Sequence, residues 1–141
     1  MKKIGMIRSM LELMGVVFLR FRPVPRLWSV WLVGVNGAGL LFYQHLEAQV
    51  ALAVVAVAVI AQALIYQRQR FTRILGIAHV MWVPMFAWMA TRLPEIAATP
   101  GLANWLVLLA ATNGICMVID TIDAVRYVKG ERAPHYQMWP A

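Results

Sequence analysis

Four apolar runs, residues 27–43, 48–66, 71–90 and 102–122, fill most of the chain and are joined by short polar turns. A helix needs roughly 20 apolar residues to cross about 30 Å of hydrocarbon. Backbone polar groups inside lipid must be satisfied within the segment, which makes such runs helical. The expected fold is therefore all-α, an integral membrane four-helix bundle. Composition points the same way. Charged residues are 13% of the chain, whereas a soluble domain carries about 25%.

The cations set the orientation. Lys2, Lys3, Arg8, Arg20, Arg22 and Arg26 precede the first run, Arg68, Arg70 and Arg73 separate the second from the third, and Arg126, Lys129 and Arg132 follow the fourth. Only Arg92 falls on the opposite side. This bracketing predicts four spans with both termini in the cytoplasm. It also argues against nucleic acid as the partner behind the net charge of +7.

Residues 1–22 read as a basic interfacial helix ahead of the bundle, which occupies residues 23–132; residues 133–141 form a cytoplasmic tail. Gly5, Arg8, Ser9, Glu12 and Arg20 fall near one side, with Ile7, Met10, Leu11, Met14, Val17 and Phe18 over much of the rest. Lys2, Lys3, Arg8, Arg20, Arg22 and Arg26 are the expected contacts to anionic headgroups. Packing of this arm against protein is the alternative. No small-residue cleavage pattern follows it, so it reads as an uncleaved arm rather than a signal peptide.

Polar side chains inside the runs are few, and their depths coincide. Gln62 lies six residues before Arg68, His79 six after Arg73, and Asp120 six before Arg126. At ~1.5 Å per residue, each sits about 9 Å inside the cationic line, on three different helices. Intramembrane ionisable groups are costly and face protein or water. Asp123, one turn beyond Asp120, falls level with Arg73 and is its expected ion-pair partner. Asn36 and Asn113 lie deeper and are expected to hydrogen-bond between helices. Pro84 predicts a kink near Val80 in the third run.

The chemistry these residues offer is limited. There is no glycine-rich phosphate loop, nucleophile elbow or HExxH. The lone Cys116 excludes a multi-cysteine metal site and reads as a small packed hydrophobe. A bis-histidine haem site needs two histidines at one depth, and His45 and His135 lie on either side of the depth of His79. No catalytic residue, metal or cofactor is expected. The leading expectation is a non-enzymatic accessory or assembly subunit, with other membrane subunits and the bilayer as partners. Alternatives are a small proton- or cation-conducting protein using His79 and Asp120, and a redox-cofactor anchor for quinone or haem.

Three stretches, WSVWLVGVNGAGLLF, RFTRILGIAHVMWVPMFAWM and IDTIDAVRYVKGER, carry a resemblance. The chain resembles a group of small proteobacterial inner-membrane proteins with four spans and no assigned activity. The shared pattern is a third-span histidine followed by W-x-P and a closing D-x-x-D-x-x-R-[YW]-x-x-G-[ED]-R. It falls on His79, Trp82, Pro84, Asp120, Asp123, Arg126, Tyr127, Gly130, Glu131 and Arg132. The resemblance implies topology and location, and brings no activity.

Overall fold

The computed structural model describes residues 5–133. Lys2, Lys3, His135 and Trp139 lie outside that range. Within it the chain is all-helical. Helix α1 spans Met6–Gly15 and continues as a π-helical turn, Val16–Arg20; α2 spans Pro23–Gly37 and continues as a 3-10 helix, Ala38–Phe42. Helix α3 is Leu46–Gln69. A 3-10 helix, Arg73–Met81, then leads into α4, Trp82–Ala90. The short α5, Leu93–Ala97, precedes the long α6, Pro100–Val128. Three segments, Leu46–Gln69, Arg73–Ala90 and Pro100–Val128, are long and apolar enough to cross a membrane.

The distribution of side chains is that of a membrane protein. Leu40, Val57, Ile60, Ile77, Val80, Val107, Ile115, Val118 and Ile122 are exposed, while Asn36, Thr112 and Asn113 are buried. Burial in water runs the other way. The main core gathers Val35, Trp82, Met85, Met89, Ile96, Leu102, Trp105, Leu106 and Leu109. Helix α3 turns Ala48, Ala51, Ala58 and Ala63 inward. These small side chains permit the close approach that drives packing where lipid tails are as apolar as leucine. Gly39 serves the same purpose, because a Cβ there would meet the Trp105 ring at 3.0 Å.

Proline and glycine set the boundaries. Pro23 and Pro25 open α2, where a missing amide hydrogen costs nothing. Pro84 behaves likewise. The expected kink inside a continuous α-helix gives way to a change of helix type at Met81–Trp82, which leaves Pro84 in the first turn of α4. Its missing donor is then one of the four that a helix start leaves spare. Helix α6 ends at Val128, and Gly130 follows at φ 109°, a conformation that favours glycine. The Glu131 amide donates to the Arg126 carbonyl at 3.0 Å, closing the helix end.

The arm packs one stripe against protein, while Ile7, Leu11 and Leu19 remain exposed. Ser9, Leu13 and Val16, spaced four and three residues apart, form a buried stripe. Leu13 packs with Tyr66 and Leu75. Ser9 was expected on the polar side; it is fully buried because its hydroxyl donates to the Gly5 carbonyl at 3.1 Å and needs no water. Tyr66 donates its phenol to Glu12 at 3.3 Å, and Arg70 lies 3.5 Å from the same carboxylate. The arm is thus clasped to the end of α3. A hydrogen bond from Arg8 holds the Glu12 carboxyl below its ordinary range, against some opposing desolvation, with Tyr66 and Arg70 adding to it. A lowered folded value means that this clasp is present above the ordinary carboxylate range and is lost as pH falls through the lowered value.

Leu13→Ala removes the side chain that fills this junction and is expected to destabilise the arm's docking by about 2 kcal/mol, the low end for a core leucine. Hydrogen exchange in α1 should rise while exchange in α6 stays unchanged. Equal acceleration in both helices would show that the arm is not a separable unit.

Candidate functional site: a polar cluster between three helices

The site depends on a match between two helical periods. A 3-10 helix has 3.0 residues per turn, so residues three apart eclipse. Arg73, Gly76 and His79 therefore line one edge of the 73–81 segment, and Trp82 follows at the same interval as α4 begins. On α6 the ordinary period places Asn113, Cys116, Asp120, Asp123 and Tyr127 on one stripe. The two rows face each other. Arg73 Nη1 meets Asp123 Oδ1 at 2.5 Å, and its Nε lies 3.2 Å from Glu131. Gly76 lies against Asp120 so closely that a Cβ would come within 2.7 Å of the Asp120 Cβ and overlap its carboxylate. One step further, His79 Nδ1 meets Asp120 Oδ2 at 2.7 Å.

The imidazole is held from every side. Its Nε2 lies 3.0 Å from the amide nitrogen of Gln62 on α3. In the neutral tautomer that serves both contacts, Nδ1–H donates to Asp120 and Nε2 accepts from Gln62. The Trp82 ring stacks on the imidazole at 4.2 Å and 7°. Cys116 Sγ lies 3.6 Å from Asp120 Oδ2 and 4.0 Å from His79 Nδ1. The His79 and Asp120 side chains are 13% and 19% exposed, so the cluster is reachable from the chain surface. Gln62, His79 and Asp120 thus form one hydrogen-bonded chain across three elements.

A second polar contact lies deeper along α6. Asn36 and Asn113 exchange amide hydrogen bonds at 2.9 and 3.1 Å, fully enclosed between α2 and α6. Nearby, Trp31 Nε1 donates to Thr112 at 3.2 Å, and Trp105 Nε1 to the Val35 carbonyl at 2.9 Å. At the far end, Arg92 pairs with the nearly buried Glu47 at 2.6 Å. Glu47 occupies the first turn of α3.

The residues expected at lipid headgroups separate into two groups. Arg20 and Arg22 are exposed. Arg8 is exposed as well and pairs with Glu12 at 2.9 Å. Arg26 donates to the Leu19 and Phe21 carbonyls, both at 2.9 Å, and so closes the preceding helix end.

Two site residues escape the sequence reading. Cys116 reads as a packed hydrophobe, yet its position four residues before Asp120 on the same helix is a usable signal. The role of Gly76 appears only where the 73–81 segment winds as a 3-10 helix. His79, Cys116 and Asp120 together present one nitrogen, one sulfur and one oxygen donor, within 4.8 Å of one another. No protein-family model, curated protein or solved structure matches the chain.

Gly76→Ala is expected to push Asp120 off His79 and destabilise the protein by about 1–3 kcal/mol, as overpacking does. Asp120→Ala should relieve the overlap, so the double variant loses less than the two single losses together. Thermal unfolding in detergent measures this. Strict additivity would mean that the two residues do not press on each other.

Proposed function

We propose that this chain is a non-enzymatic, four-span protein of a bacterial inner membrane, with both termini cytoplasmic, serving as an accessory or assembly subunit of a larger membrane complex. The observation that carries the reading is the way two sets of internal polar groups close on one another. Gln62, His79 and Asp120 tie three elements together, and Asn36 with Asn113 ties a fourth. Such bonds hold helix order and leave a fixed apolar exterior for lipid and neighbouring subunits. Outside the long helices, the described residues offer an arm and short turns, with Arg20 and Arg22 free to meet anionic headgroups.

The fourth span in this reading is α2 with its 3-10 extension. At ~1.5 Å per α-helical residue and ~2.0 Å per 3-10 residue, Pro23–Phe42 extends about 32 Å, enough to cross hydrocarbon. A conducting path is the weaker reading. Beyond His79 the interior is filled by Trp82, Met85, Leu109 and Trp105, all buried in the main core. A continuous polar route from one side to the other has to displace them.

Topology is tested with single cysteines introduced into a Cys116→Ala background and an impermeant thiol reagent. A cysteine at Gln44 should label only from the periplasmic side, and one at Lys129 only from the cytoplasmic side. Labelling of both from the same side would remove α2 as a span. For the subunit role, mild solubilisation followed by native electrophoresis should recover the chain in a particle of fixed composition and stoichiometry. Recovery solely as a free monomer or homo-oligomer would refute the accessory role.

A further inference from the structure

We infer that His79, Cys116 and Asp120 form a binding site for a divalent transition-metal ion of the zinc class. This goes beyond the accessory role and does not rest on it. The donor set is one imidazole nitrogen, one thiol sulfur and one carboxylate oxygen, supplied by two elements packed face to face. Zinc takes this mixture of ligands, and sites with three protein ligands keep a fourth position for water or a small ligand. Calcium and magnesium call for oxygen ligands alone.

The distances fit an ion with little movement. Bonds of about 2.0–2.3 Å in a tetrahedron place neighbouring ligand atoms roughly 3.3–3.7 Å apart. Sγ lies 3.6 Å from Oδ2, inside that range, and 4.0 Å from Nδ1, so that edge must close by a few tenths of an ångström. The Nδ1–Oδ2 edge of 2.7 Å must open by roughly 0.6 Å. This is the separation that follows once a metal replaces the shared proton.

Charge balance favours the same ion. A divalent cation with one thiolate and one carboxylate is neutral overall, which lowers the cost of placing it in an apolar interior. Protons balance as well. The thiol proton leaves to solvent as sulfur binds the metal. The imidazole proton shifts from Nδ1 to Nε2, freeing the Nδ1 lone pair. Gln62 sits at Nε2 already, and rotation of its amide presents the carbonyl oxygen to accept the new N–H. A carbonyl behind a metal-bound histidine fixes tautomer and ring orientation. Trp82, stacked on the ring, restrains it further.

The test uses the full chain purified in mild detergent and stripped with chelator. Titration with cobalt(II) should saturate at one ion per chain, with thiolate-to-metal charge-transfer absorption that zinc(II) bleaches. Cys116→Ala should abolish that absorption and weaken zinc binding by at least about tenfold, with helix content and elution volume unchanged. Asp120→Asn should weaken zinc similarly. Gln62→Leu should weaken it about 10–100-fold while keeping one ion per chain, as loss of an outer partner does. Absence of the charge-transfer band, or equal zinc affinity in Cys116→Ala, would overturn the site. A chain that binds no metal but still migrates in a particle of fixed composition defeats this inference alone.

Discussion

The contact of His79 with Asp120 across the bare face of Gly76 is the constraint on which the arrangement depends. A carboxylate inside an apolar run is tolerable only when protein supplies its hydrogen-bond partners. Here the partner must come from the facing element, and it must come close. A residue with any side chain at position 76 would fill the space that the Asp120 carboxylate occupies. The choice of glycine there and of histidine three residues later are therefore parts of one solution.

Helix α6 is the hub of that solution. Along its length it meets α2 through Asn113, the 73–81 segment through Cys116 and Asp120, and the start of that segment through Asp123. Tyr127 reaches Gln69 at the end of α3. The ties are of different kinds, amide to amide, imidazole to carboxylate, guanidinium to carboxylate. Dissimilar ties at successive heights penalise a slip of one helix past another, because each group would then face a partner it cannot satisfy. The arm is held separately, through Leu13 and Glu12 on the end of α3.

Much of the helical plan could be read from the chain because apolar runs of membrane length have few alternatives. The pairings of Gln62, His79 and Asp120, and of Arg73 with Asp123, were legible as coincidences of depth, since counting residues from a cationic border needs no structure. What could not be counted was the type of helix. A 3-10 run of this length is uncommon, and nothing in RILGIAHVM announces it. In an α-helix Arg73 and His79 would not share a face, and Pro84 is the one irregularity that the sequence marks. What covers the arm is not legible for another reason. Amphipathicity identifies an apolar side without saying whether lipid or protein covers it, and a serine bonded to its own turn passes as apolar.

The tight winding of residues 73–81 has a mechanical side. Six residues separate Arg73 from His79, two full revolutions in a 3-10 helix, whereas an α-helix would leave them about 120° out of phase. The α form would also be shorter by roughly 4–5 Å over the nine-residue segment. Torsion and length are coupled in this stretch: stretching favours the form in which the guanidinium and imidazole are aligned, and compression favours the form in which they diverge. The winding of this one segment thus decides whether both side chains can meet Asp120 and Asp123 at once.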